Sequence, residues 1–288
     1  MATPQPCSDG ERIYAYFSCN DVICVDLEGN LVWYRGLGFD YPNASSSLGM
    51  SSSPVVADGT LVLQLDTDTD ALVAGLDALT GETRWKIDRE HSAIWASPVL
   101  FLATNGSPEV ILHSKKSLLS IDPKTGKENW AVQQGCASIA SSTVAGDLLL
   151  TPIGELSALR IKGTKESPET VWKEAKLSPD TPTPVAYKDR VYVLKGSVLT
   201  CADLATGKID WRMRLDCKGA YSSPLAGNDH LYLVDESGVL QTIRLGAAKG
   251  EVASRLELGE PIMGTPALAG GALYVRSDKH LWKFVNAN

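Results

Sequence analysis

Apolar and polar residues follow one another along the chain in short blocks rather than with helical periodicity. Within residues 184–215, the unbroken apolar run 191–194 stands between the polar pair Lys188-Asp189 and Gly196. Unbroken runs of this length are typical of strands buried on both faces, whereas an amphipathic helix needs apolar residues at i, i+3 and i+4, which few windows show. The pattern predicts four strands here, at 184–187, 191–194, 197–201 and 209–215.

The same block pattern recurs along the chain, and each copy opens on a hydroxyl residue followed by proline. The openings are Ser53-Pro54, Ser97-Pro98, Thr183-Pro184, Ser223-Pro224 and Thr265-Pro266, with a degenerate copy at 141–143 and a further one at Thr3-Pro4. Five copies close on a tryptophan, at Trp33, Trp85, Trp130, Trp172 and Trp211. A repeat of about 40 residues with four strands is typical of the blades of a β-propeller.

The repeats predict an all-β fold, a single-domain β-propeller over residues 1–288 with seven four-stranded antiparallel blades. The predicted blades are 2–35, 52–88, 96–133, 139–174, 182–216, 221–257 and 263–286. The last blade lacks residues for a fourth strand, and exposed strand edges invite aggregation. Two interpretations therefore stay open: a ring that closes on seven blades, or part of an eight-bladed parent.

Three repeats carry the motif Asp-x-x-Thr-Gly-x-x-x-Trp, beginning at Asp77, Asp122 and Asp203, and a shorter version runs from Asp26 to Trp33. An aspartate can accept backbone N–H bonds in a turn, and glycine supplies the positive φ that such a turn needs. The tryptophan is expected to pack between blades. The small residues two positions before the aspartate (Cys24, Gly75, Ser120 and Cys201) are expected to make room for the ring. The fourth copy keeps Trp172 without the turn, and the sixth has Gly250 but no tryptophan.

This motif resembles the tryptophan-docking motif of pyrroloquinoline-quinone-like (PQQ-like) repeats, and the resemblance extends over about residues 3–284. That family of propellers includes BamB-like envelope proteins and the quinoprotein alcohol dehydrogenases. The resemblance implies a periplasmic or cell-envelope location and protein partners.

Composition narrows the possible functions. The formal net charge of −7 argues against nucleic-acid binding, which needs a basic surface. No apolar run approaches the roughly 18 residues of a membrane span, and residues 1–20 show no signal-peptide pattern. The six cysteines include no Cys-x-x-Cys pair, which argues against zinc and thioredoxin-like sites. We interpret most of them as small buried residues.

Candidate site residues are few. The resemblance to quinoprotein dehydrogenases implies PQQ with Ca²⁺, an aspartate base, a tryptophan platform and a vicinal disulfide, yet no two cysteines are adjacent. Asp66, Asp68 and Asp70 resemble the start of a calcium loop, but Ala71 replaces the required glycine and no glutamate closes the loop. A small ligand or carbohydrate at the mouth of a central channel would meet four candidate lining residues, namely Met50, Trp95, Tyr221 and Met263.

These observations favour a non-catalytic scaffold that binds protein partners in the bacterial cell envelope, with no catalytic residue and no cofactor expected. Two alternatives remain at this stage. One is a PQQ-dependent oxidoreductase that uses Ca²⁺, and the other is a binder of small ligands or carbohydrates at the channel.

Overall fold

The structure, a computed structural model, describes residues 4–44, 50–103, 105–163 and 165–285. Over these residues the protein is a seven-bladed β-propeller, and the predicted fold class is confirmed. Six sheets have four antiparallel strands in sequential order and the seventh has three. Thr3, in the first predicted opening, lies outside the described residues. The single domain and the eight-bladed parent stay predictions.

Two compact units make up the chain. The first comprises Met1–Leu149 with Leu159–Glu169, and the second comprises Leu150–Ala158 with Thr170–Asn288. The division falls within the fourth sheet.

The strand bounds of the first three sheets are as follows. Sheet one contains β1 (Cys7–Ser8), β2 (Arg12–Tyr16), β3 (Asp21–Asp26) and β4 (Leu31–Gly36), followed by the short helix α1 (Leu37–Asp40). Sheet two contains β5 (Val55–Ala57), β6 (Thr60–Asp66), β7 (Ala71–Asp77) and β8 (Thr83–Asp88). Sheet three contains β9 (Val99–Leu102), β10 (Pro108–His113), β11 (Leu118–Ile121) and β12 (Glu128–Val132).

The remaining sheets follow in chain order. Sheet four contains β13 (Thr143–Ala145), β14 (Leu148–Ile153), β15 (Glu155–Arg160) and β16 (Glu169–Glu174), followed by a 3₁₀ turn (Ala175–Leu177). Sheet five contains β17 (Val185–Tyr187), β18 (Arg190–Lys195), β19 (Val198–Asp203) and β20 (Ile209–Arg214). Sheet six contains β21 (Leu225–Gly227), β22 (His230–Val234), β23 (Val239–Leu245) and β24 (Gly250–Glu257). Sheet seven contains β25 (Ala267–Ala269), β26 (Ala272–Arg276) and β27 (Leu281–Val285).

The middle strands are buried on both faces. Every residue of β6 is buried, and successive side chains serve two different cores. Leu61 and Leu63 pack in a cluster with Tyr14 of the first sheet, whereas Val62 packs in a cluster with Val110 of the third. Strands between two layers need apolar residues at every position, which explains the unbroken apolar runs in the sequence.

Among the described residues, hydroxyl residues at the blade openings link one sheet to the next. In the first unit, the main-chain N–H of Gln5 donates to Ser53 Oγ, that of Ser53 to Ser97 Oγ, and that of Ser97 to Ser141 Oγ, each at 2.9 Å. In the second unit, Thr183 N–H donates to Ser223 Oγ and Ser223 N–H to Thr265 Oγ1, both at 3.0 Å. The recurring Ser/Thr-Pro openings therefore hold adjacent sheets together at their first strands.

Replacing Ser97 with alanine is expected to lower the free energy of unfolding by about 1–3 kcal/mol, because the half-buried N–H of Ser53 loses its acceptor. Ser97→Thr keeps the hydroxyl and is expected to stay near the wild type. Urea unfolding followed by circular dichroism measures both. Equal losses in the two variants would show that the side-chain volume, rather than the hydroxyl, is what the site requires.

Four tryptophans form a second set of links between sheets. Each indole N–H donates to a main-chain carbonyl of the next sheet: Trp33 to Ala78 at 3.0 Å, Trp85 to Pro123 at 2.9 Å, Trp172 to Leu204 at 2.9 Å and Trp211 to Gly246 at 3.1 Å. The rings also lie directly against glycine, because a Cβ added to Gly126 would be 2.7 Å from the Trp85 ring. Gly126 has φ +68°, so the turn requires glycine for its backbone as well.

Trp130 is the exception, because the fourth repeat lacks the Asp-x-x-Thr-Gly turn. Its indole N–H donates instead to Glu109 Oε2 in its own sheet, at 3.0 Å. The same oxygen accepts a bond from Ser120 Oγ at 2.5 Å. Glu109 is fully buried, and burial raises the pKa of its carboxyl group.

Candidate functional site

The sixth sheet departs from the others at the position where they carry a tryptophan. In four sheets, one small residue of the third strand lies opposite a tryptophan of the fourth strand: Cys24 opposite Trp33, Gly75 opposite Trp85, Ser120 opposite Trp130 and Cys201 opposite Trp211. A β-bulge follows immediately in every case. In the sixth sheet Thr242 lies opposite Ser254, and the bulge again follows. Ser254 therefore occupies the tryptophan position.

A groove of about 620 Å³ lies beside Ser254, between the sixth and seventh sheets. We call it the Ser254 groove. Its lining residues are Gly227, Asn228, His230, Tyr232, Leu240, Thr242, Ser254 and Leu256 of the sixth sheet and residues 268–273, Phe284 and Val285 of the seventh. All of them belong to the second compact unit. The volume is within the usual range for pockets that bind small molecules or side chains.

Apolar side chains surround the Ser254 groove and reach solvent. Leu256, Leu268 and Val285 line it and are 45%, 37% and 65% exposed. Leu281, further along β27, is 69% exposed. Its strand is the last of the seventh sheet and pairs only with β26 among the described residues. Apolar residues exposed around a groove are typical of binding surfaces.

The residues that the sequence singled out as channel candidates lie elsewhere. Met50 is buried in the core shared by the first two sheets, and Trp95 is half-buried. The two are neighbours through Ser51, whose hydroxyl lies 3.4 Å from the Trp95 carbonyl oxygen. Tyr221 and Met263, in the second unit, are 53% and 47% exposed. None of the four lines the Ser254 groove.

The three candidate metal ligands face different partners. Asp66 is buried and paired with Arg89, Asp68 accepts the N–H of Ala93 at 3.0 Å, and Asp70 lies 4.0 Å from His91. Within the part of the chain that the structure describes, no group of three or more His, Cys, Asp or Glu residues could hold a metal ion.

The sequence did contain a signal for the groove. The absence of a tryptophan from the sixth copy is visible in the repeat alignment. The alignment could not show that the described residues of the following repeat do not close over Ser254.

Comparison with known proteins supports the repeat family. A sequence model of the family described as "Outer membrane protein assembly factor BamB" matches residues 160–245. The structure of BamB from Moraxella catarrhalis is similar over 98% of this chain and 81% of its own, with a TM-score of 0.75 and 17% identity. Over the matched residues the chain is similar to this repeat family, and over most of its length it shares the propeller fold of BamB.

Two enzyme structures share the propeller fold. The first is a europium-containing methanol dehydrogenase, with a TM-score of 0.71 and 11% identity over 94% of this chain and 72% of that one. The second is the quinohemoprotein alcohol dehydrogenase from Comamonas testosteroni, with a TM-score of 0.68 and 13% identity over 94% and 62%. At these identities the likeness shows the fold alone. No curated protein matches the sequence significantly.

The described residues do not fit the quinone and metal site that the dehydrogenase resemblance implies. That site needs acidic ligands around a cation, and the described chain offers no such group. It also needs two adjacent cysteines, which the sequence lacks. Cys24 and Cys201 instead lie opposite Trp33 and Trp211, and burial raises the pKa of Cys201 to about 11, so its thiol stays protonated.

A buried polar cluster joins the second and third sheets of the propeller. The carboxylate of Asp66 accepts bonds from Arg89 Nε at 3.0 Å and from Gln64 Nε2 at 2.9 Å. Gln64 and Arg89 also donate to the main-chain carbonyl of His113, whose ring Nε2 lies 2.6 Å from Ser142 Oγ. Burial lowers the pKa of His113 to about 4 and raises that of Asp66 to about 6, although the positive charge of Arg89 opposes the rise.

The stability of the propeller is expected to depend on His113 between pH 6.5 and 4. Because the pKa of His113 is about 4 in the folded protein and 6.5 when exposed, the unfolded state binds more protons in this window. The stability contribution of neutral His113 is therefore lost as the pH falls, by up to about 3 kcal/mol at 1.36 kcal/mol per pKa unit.

The matched variant is His113→Gln, measured by urea unfolding across the same pH range. Asp66 acts in the opposite direction in nearly the same window, because its raised pKa makes the folded state bind the extra proton. Asp66 is present in both proteins, so the difference between them isolates the histidine. A difference that does not change with pH would show that His113 is protonated equally in both states.

Proposed function

We propose that this propeller is a non-catalytic scaffold that binds a protein partner in the bacterial cell envelope. The observation that carries the proposal is the Ser254 groove with its exposed apolar residues Leu256, Leu268 and Val285. The similarity to BamB supports protein binding and an envelope location. No helix of the described chain is both long and apolar enough to cross a membrane.

The arrangement of the motif residues supports binding rather than catalysis. The Ser/Thr openings and four of the tryptophans make contacts between sheets. The aspartate of the motif is used locally, since Asp77 Oδ1 accepts the N–H groups of Leu79 and Thr80 at 2.8 and 3.1 Å. The repeated residues therefore build a rigid platform, and recognition is left to the residues that vary between repeats.

The lining of the groove combines apolar and polar groups. Leu240, Leu256 and Phe284 supply apolar surface, and Thr242 and Ser254 supply hydroxyl groups. Such a mixture of apolar and polar surface is typical of surfaces that bind proteins reversibly.

The experiment is affinity capture from an envelope extract of the source organism, followed by rebinding of the identified partner in purified form. We expect Leu256→Asp to lose the partner, because the substitution places a charge in the apolar rim. The matched control is Leu79→Asp, because Leu79 is 58% exposed and is not among the residues that line the groove.

Calorimetry with the purified partner then measures the affinity of the three proteins. A partner that binds all three equally would contradict the assignment of the groove. If the wild type retains no partner that rebinds in purified form, the scaffold function itself is contradicted.

A further inference from the structure

Independently of the proposed function, we propose that residues 133–142 form an acid-sensitive segment, which protonation of His113 releases while the sheets of the propeller stay folded. The segment lies wholly within the described residues, joins β12 to β13 and contains no strand or helix. Two features carry this inference. One is the contact between the His113 side chain and the segment, and the other is the separation of the segment from the charged pair behind the histidine.

The side chain of His113 connects the third sheet to the segment. His113 is the last residue of β10 and is fully buried, and its ring Nε2 lies 2.6 Å from Ser142 Oγ. Ser142 follows the opening hydroxyl residue Ser141 and stands where other openings have proline, as in Ser97-Pro98. Proline has no hydroxyl group, so the fourth repeat departs from the others at the residue that meets the histidine.

Main-chain hydrogen bonds hold the rest of the segment. The N–H of Cys136 donates to the Ser114 carbonyl at 2.9 Å, and the Ser138 carbonyl accepts the N–H groups of Trp95 and Ala96 at 2.7 and 2.9 Å. All of these residues lie outside the strands. Hydrogen bonds outside a strand ladder open at a lower free-energy cost than those of a buried sheet, so the segment can leave without disrupting a sheet.

Among the described residues, the charged groups near His113 come from the second sheet and its end. Arg89 donates to the main-chain carbonyl of His113 and pairs with Asp66. On the other sides, β11 places Leu118 opposite His113, and the segment contains no Asp, Glu, Lys, Arg or His. Lys115-Lys116, on the turn after β10, is exposed to solvent. A protonated His113 is therefore a second cation beside a carboxylate that already neutralises Arg89.

Release of the segment gives water access to His113, which makes the release depend on pH. Burial lowers the pKa of His113 to about 4 and the positive charge of Arg89 lowers it further, whereas a main-chain contact with Ala137 of the segment opposes the shift. In the released state the pKa returns towards its ordinary value of 6.5, so the released state binds the extra proton. The segment is therefore held above pH 6.5 and is progressively released as the pH falls towards 4.

Asp66 distinguishes release of the segment from unfolding of the whole protein. Its partners Arg89 and Gln64 lie outside the segment, so the carboxyl group stays buried when the segment leaves. Global unfolding exposes both His113 and Asp66, and the pKa of Asp66, raised to about 6, makes the folded state bind a proton in the same range. Through these two groups, lowering the pH from about 7.5 to about 5 is expected to raise the release equilibrium about 30-fold and the unfolding equilibrium about threefold.

The test is amide hydrogen exchange, resolved to single residues by NMR and corrected for the direct effect of pH on the exchange chemistry. The probes are the amides of Cys136, Trp95 and Ala96, whose hydrogen bonds are lost on release, and the amides of β6 report global unfolding. In the wild type, protection of the three probes is expected to fall about 30-fold from about pH 7.5 to about pH 5, and in His113→Gln to change by less than about threefold.

The matched control is His91→Gln, because the side chain of His91 is 58% exposed, and this variant is expected to keep the pH dependence of the wild type. Ser142→Ala serves as a second variant in case His113→Gln does not fold. It removes the hydroxyl group next to the histidine, so protection of Cys136 at about pH 7.5 is expected to fall at least about fivefold.

Three results would overturn the proposal. The first is a pH dependence in His113→Gln equal to that of the wild type. The second is an equal loss of protection in β6 and in the three probes, since the pH would then act on global unfolding. The third is wild-type protection of Cys136 in Ser142→Ala, because the contact with His113 would then not hold the segment.

Discussion

Replacing Arg89 with methionine is expected to lower the free energy of unfolding by about 3–5 kcal/mol, since it leaves a buried carboxylate without its counter-charge. The pair is well enclosed, because the side chains of Arg89 and Asp66 are 9% and 2% exposed. Arg89 Nη2 lies 2.9 Å from Asp66 Oδ2, and the same nitrogen donates to the main-chain carbonyl of His113. The substitution therefore removes one contact within the second sheet and one to the third.

The control for this variant is Arg84→Met in the same sheet. Arg84 Nη2 lies 2.7 Å from Asp77 Oδ2, a shorter separation, but the two side chains are 34% and 24% exposed. Exposed pairs contribute about 0–1 kcal/mol, so the control is expected to lose far less than Arg89→Met. Urea midpoints at neutral pH measure both, and equal losses would show that burial does not determine the strength of these pairs.

A second substitution tests whether the unpaired carboxylate of Asp66 causes the loss of stability. In Asp66→Asn with Arg89→Met the buried charge is gone, so part of the lost stability is expected to return. If the double variant is as unstable as Arg89→Met alone, the loss comes from the missing bond to His113 and from packing rather than from the unpaired carboxylate.

The pairing of Asp66 with Arg89 is also a contact that the sequence could not predict. Asp66, Asp68 and Asp70 alternate in the chain, and their spacing is that of a metal-binding loop. The partner of Asp66 is 23 residues away and is brought to it by the return of β7 and β8. The spacing of residues along the chain does not reveal such a contact. The sequence alone could therefore not distinguish the buried Asp66–Arg89 pair from a solvated loop.

The blades could be predicted because the residues that determine their strands and turns lie close together in the chain and recur in each repeat. The unbroken run 191–194 became the centre of β18, and the turn at Lys188-Asp189 lies between β17 and β18 as expected. The role of the Ser/Thr openings was missed, although their positions were visible. Their hydroxyls act on the equivalent residue one repeat away, a relation that appears only when adjacent sheets are placed side by side.

The candidate site was harder because it is defined by an absence. A missing tryptophan can mean a tightly packed substitute or an open space, and the outcome depends on residues of the next repeat. Here Ser254 is small and Leu268 and Val285 are exposed, so a groove is left between the described residues of the two sheets. Repeat positions that deviate from their own consensus are therefore useful places to look for function in a propeller.

Replacing Trp85 with alanine is expected to cost about 3 kcal/mol, the lower end of the range for deleting a large aromatic side chain, because the ring is half-buried. The indole lies between Gly75 of its own sheet and Gly126 of the next, and donates to the Pro123 carbonyl at 2.9 Å. Gly75→Ala is expected to destabilise the wild type by about 1–3 kcal/mol through overpacking, because the new Cβ would lie 2.1 Å from the ring.

The two substitutions together test whether ring and glycine act as a pair. In the Trp85→Ala background the clash is absent, so Gly75→Ala should cost nothing and should even stabilise the strand, where alanine is less flexible than glycine. A double-mutant cycle by urea unfolding measures this coupling. If the costs simply add, the small residue opposite tryptophan is required for the strand backbone and not for the ring.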